Sequence, residues 1–154
     1  MSLASEVIDK ALFNGVMIAT AESCTGGMIA AALTDIPGAS AVVERGFVTY
    51  TNAAKVEMLG VNPKTLKDHG AVSEAVAREM ALGALRHSGA QVAISVTGIA
   101  GPGGSDHKPE GRVCFGLSTG KTLHSETVEF GALGRSNVRK RARDHALNLL
   151  KTAL

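Results

Sequence analysis

The chain has no tryptophan, one tyrosine, four phenylalanines and two cysteines among its 154 residues. With so few aromatic rings, a hydrophobic core must be built from aliphatic side chains, which are plentiful because 45% of the residues are hydrophobic. Cys24 and Cys114 lack metal-type spacing, and the five histidines form no HxxxH pair. The sequence therefore indicates a reduced globular protein and predicts neither a metal nor a cofactor.

Strong charge and long apolar runs are missing as well. The net charge of +2 is too small to indicate a nucleic-acid-binding protein by itself. No apolar run approaches the roughly 20 residues that span a membrane. The first ten residues carry Glu6 and Asp9 without the basic start of a signal peptide. We therefore expect a cytoplasmic protein with no nucleic-acid or membrane partner, folded as one domain over residues 1–154.

Hydrophobic periodicity predicts elements in the order α-β-α-β-α-α-β-β-β-α. The first strand is predicted over residues 16–20, and the helix after it opens within residues 21–27 and ends near residue 35. Residues 62–70 are predicted to form a loop with one helical turn. Helices alternating with strands are typical of a three-layer α/β/α sandwich. A terminal hairpin over residues 111–130 would make its sheet of about five strands mixed.

Four segments carry residue types that suit chemistry, and the first is residues 22–27. It lies between a predicted strand and helix, where main-chain N–H groups can hold a phosphate or stabilise an oxyanion. Ser23 is a candidate nucleophile there, and Gly26 and Gly27 allow another group to approach the backbone closely. The alternative is an ordinary capped turn, because serine and threonine often cap helices.

The second segment contains Tyr50 and Lys55. Tyr50 ends a predicted strand, and Lys55 falls in the first turn of the next helix, where the helix dipole disfavours an ammonium. A partly buried lysine in that place would have a lowered pKa, which suits a general base for a serine. The alternative is a surface lysine on a short helix.

The third and fourth segments are a glycine-rich loop over residues 97–105 and a basic helix. The loop is long for an α/β connection, so it suits either a cradle for phosphate and ribose or a flexible loop whose glycines only supply turns. The basic helix indicates a solvated face, with one arginine on a ligand phosphate or a DNA-binding helix as alternatives. Its basic residues are Arg135, Arg139, Lys140, Arg141 and Arg143.

These segments in order resemble the CinA C-terminal domain family, which includes stand-alone bacterial nicotinamide-mononucleotide amidases. The matching strings are TAESCTGG at 20–27, ERGFVTYTNAAK at 44–55, HGAVSE at 69–74, and GIAGPGGS with KPEG within 98–111. The resemblance covers nearly the whole chain from residue 20, and four strings in family order are far more specific than any one. The glycine-rich loop is one residue shorter than the family pattern.

The resemblance implies hydrolysis of the carboxamide of nicotinamide mononucleotide to the acid nucleotide and ammonia, without a metal. It assigns the nucleophile to Ser23, the base to Lys55 and an assisting role to Tyr50. A small nucleotide is then the expected partner, and we expect a homodimer. The residues expected to contact substrate are Thr25, Gly26, Gly27, Arg45, Asn52, Thr97, Gly98, Ala100, Gly101, Gly104 and Ser105.

Other classes of function stay open on the sequence alone. A nucleotide-binding module without turnover would use the same glycine loops, and a protein- or DNA-interaction domain would use the basic helix. Within the enzyme class, Cys24 is a rival nucleophile, although we expect it to pack as a small apolar residue. The additional N-terminal hydrolase domain of longer family members is not expected in this chain.

Overall fold

The computed structural model describes residues 2–154, which form six α-helices, five β-strands and a short 3₁₀ helix at Ala39–Ala41. The helices are α1 (Leu3–Asn14), α2 (Met28–Thr34), α3 (Asn52–Leu59), α4 (Pro63–His69), α5 (Glu74–Arg86) and α6 (Arg135–Ala153). The strands are β1 (Ile18–Glu22), β2 (Val43–Val48), β3 (Val92–Gly98), β4 (Arg112–Ser118) and β5 (Leu123–Glu129).

The five strands form one mixed sheet in the order β2-β1-β3-β4-β5. β1 lies parallel to both β2 and β3, whereas β4 is antiparallel to β3 and to β5. The carboxyl ends of β1, β2 and β3 therefore meet at one edge of the sheet, where open α/β folds bind their ligands.

Helices cover both faces of the sheet, which confirms the predicted three-layer sandwich. Helices α1, α2 and α6 pack on one face, and α3, α4 and α5 pack on the other. β1 serves both cores because successive strand side chains point to opposite faces: Ile18 joins the first, and Ala19 and Ala21 join the second. Both cores are mainly aliphatic, with Phe115 as the fully buried ring.

Two boundaries near β1 differ from the prediction. The strand begins at Ile18 rather than residue 16, because the N–H of Val16 donates to Ala11 O at the end of α1 and that of Met17 donates to the Gln91 side chain. Residues 23–27 form a turn rather than a helix start. Gly26 and Gly27 have φ angles of +58° and +105°, so the helix begins only at Met28.

Residues 63–69 form a helix, α4, where the sequence analysis expected a loop. The Asn62 side chain caps it by accepting from Lys64 N at 2.9 Å. Pro63 occupies the first helical position, where its missing N–H is not needed. The Asn-Pro pair was a helix-start signal present in the sequence.

Candidate functional site

A cleft of about 340 Å³ opens at the carboxyl ends of β1, β2 and β3. Three connections build it: the turn after β1 supplies Ser23, the link from β2 to α3 supplies Tyr50, and the long loop after β3 supplies residues 97–105. Arg135 and the α4–α5 connection complete its wall. The fold thus brings residues from all four predicted segments into one site, the basic helix contributing Arg135.

Ser23 and Lys55 meet at the bottom of this cleft. Lys55 Nζ lies 2.9 Å from Ser23 Oγ, although the two residues are 32 positions apart in the chain. Ser23 is held by its own N–H, which donates to Val96 O of β3 at 2.9 Å. A buried amine within hydrogen-bond distance of a serine hydroxyl is the geometry that a nucleophile and its base require.

The environment of Lys55 favours its neutral form. Only 1% of the residue is exposed, and burial lowers the pKa of its ammonium from the ordinary value of 10.5. Lys55 also stands in the first turn of α3, where the helix dipole disfavours positive charge. The cap of this helix is the Thr51 side chain, which accepts from Ala54 N at 3.0 Å. Asn52 is therefore free of the capping role and lines the cleft.

Two main-chain carbonyls fix the direction of the Lys55 amine. Thr49 O lies 3.0 Å and Tyr50 O 3.4 Å from Nζ. A neutral amine has two hydrogens and one lone pair, so two N–H groups directed at these carbonyls leave the lone pair for the Ser23 hydroxyl. Tyr50 thus contacts the lysine through its carbonyl, whereas its phenol oxygen accepts from Arg135 Nη2 at 2.7 Å.

Cys24 has the properties of a core residue, in keeping with its expected packing. Its side chain belongs to the core beneath α2 and α6, and 6% of the residue is exposed. Burial raises the pKa of its thiol to about 12. Since the thiolate is the reactive form of cysteine, such a thiol is a poor nucleophile at neutral pH.

The turn after β1 is used differently from the prediction. Thr25, Gly26 and Gly27 are not part of the cleft lining. The carboxylate of Glu22, which is fully buried, accepts from Ile29 N at 2.9 Å and from Ala30 N at 3.1 Å. The start of α2 therefore already holds an anion from the protein itself, so its N–H groups are not available to a ligand.

The loop after β3 lines the cleft. Its side of the wall contains every residue that the sequence analysis singled out there: Thr97, Gly98, Ala100, Gly101, Gly104 and Ser105. Two anchors shape the loop. The Thr97 hydroxyl donates to Ala71 O at 3.0 Å, and the Glu110 carboxylate accepts from Gly103 N at 2.6 Å.

Arg45, expected to contact the substrate, does not line the cleft. Its side chain pairs with Glu44 at 2.7 Å and donates to His87 O at 2.9 Å. The reason is its register: Arg45 lies opposite Ala19 in the β1–β2 pair, well before the carboxyl ends of the strands.

Arg135 lines the cleft although it is not among the substrate contacts predicted from the sequence. Its guanidinium donates to Gly101 O at 2.6 Å and to the Tyr50 hydroxyl at 2.7 Å, so it joins two walls of the cleft. Arg139 points to the turn after β1, where it donates to Cys24 O. The predicted solvated face describes the exposed Lys140 and Arg141, but Arg135 and Arg139 bind groups of the protein. Of the alternatives for the basic helix, the one that places an arginine on a ligand phosphate agrees with the position of Arg135.

Comparison with known proteins gives consistent matches in sequence. The model of the CinA C-terminal domain matches residues 1–154. The chain is 48% identical over 151 residues to the nicotinamide-nucleotide amidohydrolase PncC of Escherichia coli K12, covering 97% of this chain and 92% of that protein. It is 52% identical over 145 residues to a CinA-like protein of Chloroherpeton thalassium. That match covers 91% of this chain but only 34% of the relative, so the chain spans about a third of its length.

Solved structures match along almost the whole chain. The competence/damage inducible protein CihA of Agrobacterium tumefaciens superposes with a TM-score of 0.94 at 49% identity, covering 97% of this chain and 92% of that one. A CinA superfamily protein of Escherichia coli superposes with a TM-score of 0.95 at 37% identity, covering 99% and 88%.

Proposed function

Because this chain belongs to the CinA C-terminal domain family, we propose that it is an amidohydrolase that converts nicotinamide mononucleotide to nicotinic acid mononucleotide and ammonia. The relative from Escherichia coli that bears the name nicotinamide-nucleotide amidohydrolase supports this substrate. The observation that carries the proposal is the buried contact between Lys55 Nζ and Ser23 Oγ at 2.9 Å.

In the first step of the proposed mechanism, Ser23 attacks the carboxamide. Neutral Lys55 takes the hydroxyl proton while Ser23 Oγ forms a bond to the carboxamide carbon. The carbonyls of Thr49 and Tyr50 hold the amine so that its lone pair faces the hydroxyl. Lys55, now an ammonium, gives the proton to the departing nitrogen, and ammonia leaves an ester on Ser23.

Hydrolysis of the ester completes the cycle. Neutral Lys55 takes a proton from a water molecule, whose oxygen attacks the ester carbon, and the proton returns to Ser23 Oγ when the acid leaves. The N–H groups of Gly26, Ile29 and Ala30 already have acceptors within the protein. The start of α2 is therefore not available to stabilise the oxyanion, which needs hydrogen-bond donors from elsewhere in the cleft.

The outer part of the cleft suits a nucleotide phosphate. Among the described residues that line it, Lys55 and Arg135 are the basic ones, and Arg135 is the exposed one. Its planar guanidinium can bind two phosphate oxygens at once. The glycine-rich loop beside it, residues 98–104, allows ribose to lie close to the backbone.

Ammonia release is the direct test. Purified protein is incubated with nicotinamide mononucleotide, nicotinamide riboside and nicotinamide, and ammonia and the acid product are quantified. We expect turnover to be greatest with the mononucleotide, because only it carries the phosphate for Arg135. Ser23→Ala is the control and should lose nearly all activity.

Two results would contradict the proposal. Binding of the mononucleotide without ammonia release would indicate a nucleotide-binding module, and wild-type turnover by Ser23→Ala would remove serine from the mechanism. The homodimer and the cytoplasmic location stay predictions, the former testable by light scattering. In residues 2–154, the structure contains no helix with the length and hydropathy of a membrane span.

A further inference from the structure

The turn that carries Ser23 is held by two charged side chains from outside it, Glu22 and Arg139. We propose that these two are positioning residues, which fix Ser23 against Lys55 without touching the substrate. The inference rests on the proposed function for its substrate but on the structure alone for its geometry.

Glu22 holds the turn from the sheet side. It is the last residue of β1 and is fully buried. Its Oε1 accepts from the Thr25 hydroxyl at 2.6 Å and from Ile29 N, and its Oε2 accepts from Ala30 N. One carboxylate thus joins the strand end, the middle of the turn and the first turn of α2, and these bonds stabilise its buried charge.

Arg139 holds the same turn from the helix side. From α6, its Nε donates to Cys24 O at 3.0 Å and its Nη2 donates to Thr25 O at 3.2 Å. These are the carbonyls of the two residues that follow Ser23. A planar guanidinium can serve two adjacent carbonyls in one fixed geometry, which a lysine ammonium does less well. Arg139 is not part of the cleft lining.

The turn needs these contacts because its own backbone provides little stiffness. It contains two left-handed glycines, Gly26 and Gly27, and it is the sole covalent link between β1 and α2. Within it, two main-chain bonds close short loops: Gly26 N–H donates to Ser23 O and Met28 N–H donates to Thr25 O, both at 3.0 Å. Loss of either external contact would let Ser23 Oγ drift from Lys55 Nζ. A misplacement of about 1 Å can cost on the order of 100-fold in rate.

A fluorophosphonate probe tests this without depending on the substrate. Ser23 Oγ forms a bond to phosphorus, fluoride leaves, and the hydroxyl proton passes to Lys55. The rate of labelling therefore reports the Ser23–Lys55 geometry directly. We compare wild type, Arg139→Gln, Arg139→Lys and Glu22→Gln, with Arg141→Gln as a matched control on the exposed side of the same helix. Calorimetry measures binding of nicotinamide mononucleotide, and circular dichroism establishes folding.

We expect Arg139→Gln to slow labelling by about 10- to 100-fold while its affinity for the mononucleotide stays within about twofold. Arg139→Lys should recover part of the rate, since its ammonium can still reach one carbonyl. Glu22→Gln should also slow labelling, because its amide group presents N–H to an N–H donor. Arg141→Gln should stay within about twofold of wild type.

A folded Arg139→Gln protein that is labelled as fast as wild type would overturn the proposal, and so would a wild type that is not labelled at Ser23. If Glu22→Gln does not fold, the labelling rates of the Arg139 variants decide whether the turn needs external contacts to position Ser23. If wild type is labelled at Ser23 but releases no ammonia from the mononucleotide, the proposed substrate is wrong, and the order of labelling rates still decides the positioning roles.

Discussion

Residues 23–27 and residues 99–105 follow neighbouring parallel strands and look alike in sequence, since both are rich in glycine and other small residues. In the structure the two segments have different roles. The first segment is a short turn with its polar groups bound to Glu22, Arg139 and the sheet. The second lines the cleft along its whole length.

The difference teaches that a glycine-rich turn before a helix is not by itself an anion site. After β1 the helix start is neutralised by Glu22 from within the protein, so the turn presents a side chain, Ser23, rather than its N–H groups. After β3 no helix follows directly, and the chain enters β4 through the long loop. We therefore expect the first segment to govern chemistry and the second to govern substrate binding.

The largest effect should come from removing the base beside the Ser23 turn, and it should appear in kcat. Lys55→Met should lower kcat by about 100- to 10,000-fold, the usual contribution of a positioned general base. KM should change little, because the outer cleft is intact. Steady-state ammonia release measures both constants, and a kcat near that of wild type would exclude Lys55 as the base.

A steric clash in the loop after β3 should give a smaller effect, on substrate binding rather than on chemistry. A Cβ at Gly104 would collide with Lys108 O, a main-chain atom that cannot rotate away. Gly104→Ala should therefore displace the loop and raise KM by about 10-fold or more, with a smaller change in kcat. Gly103→Ala is the matched control. A Cβ there meets no other atom, so the only strain comes from the φ of +79°, which alanine rarely adopts. Equal KM values for the two variants would contradict this assignment.

The pH dependence of stability tests the buried amine independently of activity. Between the lowered pKa of the folded state and the ordinary value of 10.5, the unfolded chain keeps Lys55 protonated while the folded protein keeps it neutral, because burial lowers the folded pKa. The unfolded state then binds more protons, so stability rises with pH up to the ordinary lysine pKa. Relative to Lys55→Met, the free energy of unfolding of wild type should rise by up to about 1.4 kcal/mol per pH unit in that window. Urea unfolding of both proteins across this pH range measures the difference. A difference in the free energy of unfolding that does not change with pH would contradict the prediction.

Cys24→Ala should give the smallest effect. The thiol is buried in the core and its pKa is about 12, so its loss should cost about 1 kcal/mol of stability and leave kcat within a few-fold of wild type. Thermal unfolding and ammonia release measure the two quantities. Inactivity of the folded variant would revive the cysteine as nucleophile.

Much of the architecture could be predicted because it depends on local patterns. Periodicity and turn residues gave the layered sandwich and its mixed sheet, and the loop residues 97–105 line the cleft as expected. The errors have local causes too. The sequence predicts only one helical turn after Asn62, where the Asn62-Pro63 pair starts a helix of seven residues. The β1 boundary differs because Val16 and Met17 find hydrogen-bond partners outside the sheet.

The sequence by itself determined which residue types stand at each strand end, including Ser23 and Lys55 within their motifs. Only the tertiary structure decided which groups remain free. Glu22 accepts from the N–H groups at the start of α2, and Glu44 binds Arg45 away from the cleft. Arg135 donates to Tyr50, which lies 85 positions earlier in the chain. The physical reason is that periodicity records which face of an element is buried, whereas hydrogen-bond partners distant in the chain are chosen only when the elements pack.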